Sequence, residues 1–289
     1  MSPEIAPHRV GILLVEGFSL LSYASVLQPL RAANQLAGKE LYQFIHLSPD
    51  GEPVRFDNGP FILIDIGPEA NQAFDTVIVM MGGDPSHFDC PKTLGWLRRL
   101  ARQGVRIGGI LAGPYLLARA GLLEGYRCTI HWELAPMFLD RFPNTLLDSS
   151  LYVFDRNRMT CAGGTAALDM AIDLIEREHG HELATRVSEW FVRTQPRFSA
   201  DTQRVSIRER YAIQDDRVIR VLAQMEAAIE EPLDKALLVK VSGTSSRHLE
   251  RLFSLHLNAG IAETYRKVRL EHAHVLVQRT GMSITDVAL

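Results

Sequence analysis

The chain has 289 residues, 46% of them hydrophobic and 22% charged, with a formal net charge of −3. That length and balance exclude a disordered chain, a collagen-like repeat and a disulfide-stapled miniprotein, and predict one large domain or two of roughly 150 residues. No stretch reaches the roughly 18 uncharged apolar residues of a membrane span, Met1–Arg9 lacks the pattern of a secretory signal, and three cysteines suit a reducing compartment, so a soluble cytoplasmic protein is expected.

In chain order, Val10–Val15 (VGILLV) is a continuous apolar run, as a strand covered on both faces requires. Leu20–Leu36 follows as a helix, with Leu20, Tyr23, Ala24, Leu27 and Leu30 at helical spacing. Tyr42–Leu47, Phe61–Ile64 and the buried run Thr76–Met81 are strands, the last halted by Gly82-Gly83. Thr93–Gln103 is a helix, and Val105–Leu111 is a strand running into Ala112-Gly113-Pro114. A helix at Tyr115–Ala120, short strands at Cys128–Ile130, Leu151–Phe154 and Met159–Cys161, and a helix at Thr165–Glu178 complete the pattern. This alternation predicts an α/β domain over 8–193, a mostly parallel sheet flanked by helices.

Residues 194–214 are polar, arginine-rich and interrupted by Pro196, which reads as a linker. From there to residue 289 the chain carries 14 Lys and Arg against 12 Asp and Glu, a slight lean towards a nucleic-acid partner. Arg217–Ile229 resumes a helical pattern that Glu230-Glu231-Pro232 ends. Asp234 caps a helix to about Val241, Ser242-Gly243-Thr244 turns, and Ser245 caps a second helix with Leu249, Leu252, Phe253 and Leu257 inward. Two short helices joined by a glycine turn form a helix-turn-helix. Its outward face offers Ser246, Arg247, Glu250 and Arg251. Arginine's donor fork matches guanine and glutamate accepts from cytosine, although such a face is in many proteins merely solvated. Thr264–Gln278 is a longer helix, so an all-α domain over 215–289 is expected.

Ligands of parallel sheets lie beyond the carboxyl ends of the strands. There, Gly82 and Gly83 leave backbone N–H groups uncrowded by a Cβ, though a tight turn would need the same glycines. Leu111-Ala112-Gly113-Pro114 is a strand-to-helix elbow of the kind that presents a nucleophile beside oxyanion-hole N–H groups. Cys161, at a strand end before Ala162-Gly163-Gly164, is a rival nucleophile, or simply a small apolar residue. No spacing suggests a metal, and no cofactor is expected.

FSLLSYASVLQPLRAAN (Phe18–Asn34), AGLLEGYRCTIHWE (Ala120–Glu133), TCAGGTAALDMAIDLIEREHG (Thr160–Gly180) and the elbow Ile110–Pro114 together resemble one superfamily, the PfpI-protease and class I glutamine-amidotransferase-like proteins, and within it the GlxA-type regulators. The resemblance covers 8–193. It implies that Leu111 stands where enzymes of the superfamily carry cysteine, that Ser22 stands where some carry glutamate, and that His131 matches a family histidine. Leucine has no lone pair with which to attack, so the implied elbow is catalytically inactive.

GTSSRHLERLF and YRKVRLEHAHVLVQRTGMSITDVAL resemble the DNA-binding domain of the AraC family, which implies base-reading roles for Arg247, Glu250 and Arg251 on a helix begun by Ser245 and Ser246. That family carries two helix-turn-helix units. Ser283–Leu289 matches only the first helix of the second, so a C-terminally incomplete reader is expected. The resemblances imply a homodimeric transcription regulator that binds double-stranded DNA and senses an amino-acid-like or betaine-like effector. Its expected ligand residues are Gly82, Gly83, Leu111, Ala112, His131, Trp132, Phe18 and Tyr23. The aromatic members, beside Glu133, suit a quaternary ammonium, with core packing as the competing explanation. The alternative is a hydrolase or amidotransferase using Cys161.

Overall fold

A computed structural model describes residues 6–57, 59–67, 72–279 and 283–288. The chain divides between Gln203 and Arg204 into two compact units. In the first, the strands are β1 (His8–Leu14), β2 (Tyr42–Leu47), β3 (Val54–Arg55), β4 (Phe61–Ile62), β5 (Thr76–Met81), β6 (Arg106–Leu111), β7 (Arg127–Cys128), β8 (Leu146–Leu147), β9 (Tyr152–Asp155) and β10 (Arg158–Cys161). The helices are α1 (Leu20–Ala37), α2 (Pro91–Arg102), α3 (Gly113–Arg119), α4 (Ala135–Arg141), α5 (Ala166–His179) and α6 (His181–Trp190).

Six strands form one sheet in the order β2-β1-β5-β6-β10-β9. All neighbours run parallel except β9, which is antiparallel to β10. Alternate residues of a strand face opposite sides, and β1 shows what that does. Val10, Ile12 and Leu14 pack with Leu30 of α1 and Met170 of α5, whereas Leu13 packs with Leu97 of α2, Leu116 of α3 and Phe138 of α4. The sheet is therefore covered on both faces, which explains the apolar runs Val10–Leu14 and Val77–Met81 in its central strands.

Two details depart from the sequence reading. Phe61–Ile62 pairs with Val54–Arg55, and Arg127–Cys128 pairs with Leu146–Leu147, so both lie outside the main sheet. Of the expected linker 194–214, residues 204–214 belong to the second unit, and residues 194–203 do not run free. Arg197 bonds to Thr165 and Asp169, and Leu151 N–H donates to Ser199 O, so this part folds onto the α/β unit. Charged side chains that find fixed partners order a segment whose composition alone reads as linker.

The second unit contains α7 (Ile207–Arg210), α8 (Asp216–Ala227), α9 (Lys235–Ser242), α10 (Ser246–Leu257), α11 (Ile261–Arg279) and α12 (Ile284–Ala288). Asp234 caps α9 by accepting Leu237 N–H at 2.7 Å, and Ser245 caps α10 by accepting His248 N–H at 3.3 Å. Gly243, at φ 68°, makes the left-handed turn between them. Val218, Leu222, Leu238, Leu249, Leu252 and Phe253 form the core. Of the expected last helix, Leu289 lies outside the described residues. No helix among the described residues is long and apolar enough to cross a membrane.

Candidate functional site

The carboxyl end of β6 carries the elbow. Leu111 has φ +61°, a left-handed conformation uncommon for a side-chain-bearing residue. Such a conformation costs on the order of 1–3 kcal/mol and persists only where its surroundings fix it. They do so here: Leu111 pairs with Met81 on β5, Ala112 N–H donates to Met81 O at 3.1 Å, and α3 begins at Gly113.

Three positions singled out by the family resemblance meet at this point. A Cβ on Gly163 would lie 2.8 Å from Leu111 Cβ and 3.1 Å from Ser22 Oγ, so both side chains close on that glycine. Ser22 Oγ accepts Gly164 N–H at 2.8 Å, and His131 N–H donates to Leu111 O at 3.4 Å. The His131 ring accepts Glu133 N–H at Nδ1, 3.4 Å away, and lies 5.6 Å from the Trp132 ring, with Trp132 36% exposed.

Other expected ligand residues are placed differently. Phe18 is fully buried and packs edge-on against Tyr23 and Phe56, so it belongs to the core and walls no opening. Ala112 is likewise buried, and its N–H is already committed to Met81, which removes it as an oxyanion-hole donor. A Cβ on Gly82 would meet Gly17 O at 2.3 Å, so backbone packing alone demands that glycine, whereas Gly83, at φ 64°, faces open space. Tyr23 bonds through its hydroxyl to His46 Nε2 at 2.8 Å, and burial raises its phenol pKa. The expected aromatic set thus falls into two groups, Phe18 with Tyr23, and Trp132 with His131. A cavity of about 930 Å³ opens elsewhere, between α1, β2 and Trp190, and contains none of the expected ligand residues.

Cys161 fails as the rival nucleophile. It is fully buried at the end of β10, and burial pushes its thiol up to about 12. A nucleophilic cysteine needs the thiolate and an approach path, and Cys161 has neither. Cys128 is equally buried and also pushed up to about 12, while Cys90 is part-exposed. A thiol-reactive dye at pH 8 is therefore expected to label Cys90 in the folded protein and to reach Cys128 and Cys161 only in denaturant. Rapid native labelling of Cys161 would restore the enzyme reading.

In the helix-turn-helix, Ser246, Arg247 and Arg251 are exposed on α10, as expected, while Ser245 serves as its cap. Ser254 and the 66% exposed Leu255 extend the same outer surface by one turn. Nothing in the sequence marks either one, because Leu249, Leu252, Phe253 and Leu257 already complete the apolar stripe of α10.

Glu250, expected to read bases, is engaged within the unit as a clamp. Its carboxylate accepts from Lys235 Nζ on α9 at 2.5 Å and from Ile261 N–H at the start of α11 at 3.3 Å, and these bonds hold its pKa below the usual carboxylate range. One side chain so ties α10 to both neighbours. Glu250→Ala is expected to weaken binding to all DNA sequences alike, by about 1 kcal/mol given the part-exposed pair, with Glu250→Gln milder. Loss of preference at a single base pair, read by selection from random duplexes, would return Glu250 to the bases.

An α/β unit with an elbow at its strand ends, followed by a capped helix-turn-helix, defines a two-part protein that joins a small-molecule-type fold to a DNA-binding fold. Comparison with known proteins agrees on both parts. The DJ-1/PfpI family model matches residues 8–177, and a helix-turn-helix domain model matches 238–289. The HTH-type transcriptional regulator GlxA of Rhizobium meliloti is 42% identical over 282 residues, covering 97% of this chain and 87% of the relative. The regulator GbdR of Pseudomonas aeruginosa is 41% identical, covering 98% and 77%. The crystal structure of an AraC family transcriptional regulator from Pseudomonas putida aligns with a TM-score of 0.60 at 31% identity, covering 64% of this chain and 100% of that one. The chain belongs to the DJ-1/PfpI family, in its branch of helix-turn-helix transcriptional regulators.

Proposed function

We propose that the chain is a cytoplasmic, homodimeric transcription regulator that binds double-stranded DNA through α10 and senses a small nitrogenous metabolite, amino-acid-like or betaine-like, at the strand ends around Leu111, Gly83, His131, Trp132 and Tyr23. The observation that carries the sensing half is the elbow itself. Its strained backbone is kept, yet the side chain it presents is leucine, without a lone pair. A site with that geometry can bind a ligand and offers it no attacking side chain at the elbow. Regulation then needs only that the effector bind the DNA-competent state more tightly than the other.

In vitro selection of random duplexes at two salt concentrations tests the DNA half. Phosphate contacts alone give binding that fades with salt and prefers no sequence, so an enriched motif surviving the higher salt is expected. Its absence would sink the regulator reading.

For the effector, thermal-shift screening of amino acids and betaines followed by calorimetry tests the location. Trp132→Ala is expected to weaken the hit by roughly 0.5–2 kcal/mol if a cation rests on the indole face. A second reading places the effector in the cavity beside Arg31 and Trp190, which has the volume for it. In that case Trp190→Ala weakens binding and Trp132→Ala leaves it unchanged.

A further inference from the structure

Near the end of the α/β unit the chain returns to the segment that feeds the elbow. Leu151 N–H donates to Ser199 O at 3.0 Å, and Ser150 and Thr202 form an antiparallel bridge, so this stretch lies along 150–151. Gln203 then reaches in. Its amide nitrogen shares two hydrogens among three acceptors, Thr129 Oγ1 at 2.9 Å, Ile130 O at 2.9 Å and Ser150 O at 3.0 Å.

Thr129 is fully buried and fully engaged. Its N–H donates to Thr160 Oγ1 on β10 at 2.8 Å, and its hydroxyl donates to Ser150 O at 2.8 Å. The residue after Ile130 is His131, whose N–H meets Leu111 O at the elbow. Gln203 therefore grips the two residues that deliver His131 to the candidate site.

The grip is one-sided, because Gln203 Oε1 is buried and accepts no hydrogen bond from the described residues. Exchanging its oxygen and nitrogen would set the oxygen against two carbonyls, so the hydrogen-bond network fixes the orientation. An empty buried acceptor offsets part of what the donated bonds contribute, which makes this amide easier to release than a fully paired one.

The next residue is already anchored in the second unit. Arg204 and Arg210 both donate to the Glu226 carboxylate on α8, at 3.4 and 2.7 Å. Successive Cα atoms are about 3.8 Å apart, so the residue that makes the Gln203 grip and the residue that pairs with Glu226 are direct neighbours in the chain. We infer that Gln203 is a coupling latch. A change at 129–131 alters its hold, and the single peptide step to Arg204 passes that change to α8, at the head of the helix-turn-helix. The latch rests on the regulator reading for its purpose but not for its test. It also implies reciprocity, in that DNA bound at α10 must alter the latch by the same free energy.

The test is hydrogen–deuterium exchange on the full chain in four forms: wild type, Leu111→Ala, Gln203→Ala and the double variant. Leu111→Ala perturbs the elbow without a known effector. With the latch intact it is expected to change exchange severalfold both at 129–131 and along α8. With Gln203→Ala, α8 is expected to exchange faster than in wild type, and adding Leu111→Ala should alter it by less than about twofold, the non-additivity of coupled sites.

A Gln203 confined to local packing would loosen 129–131 and 150–151 and leave α8 unchanged. That result, or a Leu111→Ala effect on α8 that survives removal of the latch, overturns the proposal. If Gln203→Ala does not fold, Thr129→Val removes one acceptor isosterically and is read in the same way. No DNA enters these measurements, so failure of the latch is distinct from failure of the regulator reading, which the DNA selection decides.

Discussion

Replacing Asp169 by Ala is expected to destabilise the α/β unit by about 3–5 kcal/mol, the cost of leaving a buried charge without its partner. For a unit of this size that is a fall in melting temperature of roughly 6–20 °C. The Asp169 side chain is 2% exposed on α5 and carries two arginines. Arg193 donates through Nε to Oδ1 at 2.8 Å, and Arg197 donates to Oδ2. Arg193 is itself only 12% exposed, so removing the carboxylate strands its guanidinium in the interior. Arg197, 44% exposed, can turn to water, so Arg197→Ala should cost no more than about 1 kcal/mol.

The two arginines hold 193–197 against the start of α5, where Arg197 also bonds Thr165 Oγ1 just after Gly163 and Gly164. Loss of Asp169 should therefore loosen the ground on which Leu111 and Ser22 pack. Thermal unfolding followed by circular dichroism gives the magnitude. A shift in Asp169→Ala no larger than in Arg197→Ala would show that the pair contributes nothing net.

The architecture was legible in the sequence where burial on both faces left a continuous apolar run, as at Thr76–Met81. Tyr42–Leu47, a partly buried edge strand, also lies at the expected residues, and Asp234, Ser245 and Gly243 cap and turn as their chemistry requires. Helix α6 was missed because it buries only Ala184 and Val187, too narrow a stripe to stand out. Helix α4 was missed because its seven residues begin with a proline turn and bury only Phe138.

At the candidate site, the elbow was legible in the strand that runs into Ala112-Gly113-Pro114, and the family resemblance singled out positions 22, 111 and 131, which the fold brings together. What escaped depends on distances between residues far apart in the chain. No local pattern says that Glu250 will meet Lys235 and Ile261, that Asp169 will collect Arg193 and Arg197, or that Gln203 will close on Thr129. A polar residue's role is set by the partner it finds, and that partner appears only on folding.

The outer face of α10, proposed above to bind DNA, yields the other large expected effect. Arg247 and Arg251 lie four residues apart on α10, hence on one face, and both are exposed. Arg251 touches His248 Nδ1 at 3.5 Å, a contact too long to hold it back from a base, while His248 is itself propped by Arg217 at 3.2 Å. Each arginine is therefore free to place its fork on a guanine edge. Replacing either by Ala should cost about 1–3 kcal/mol and relax preference at one base pair. The double replacement should lose about 2–6 kcal/mol if the two read independent bases, enough to bring binding close to the sequence-indifferent level. Selection from random duplexes with each variant separates the roles. A motif that loses one position for Arg251→Ala and another for Arg247→Ala assigns each arginine its base. An unchanged motif, with a shallower salt dependence by about one unit per arginine, would place both on phosphates and leave the reading of sequence to Ser246, Ser254 and Leu255.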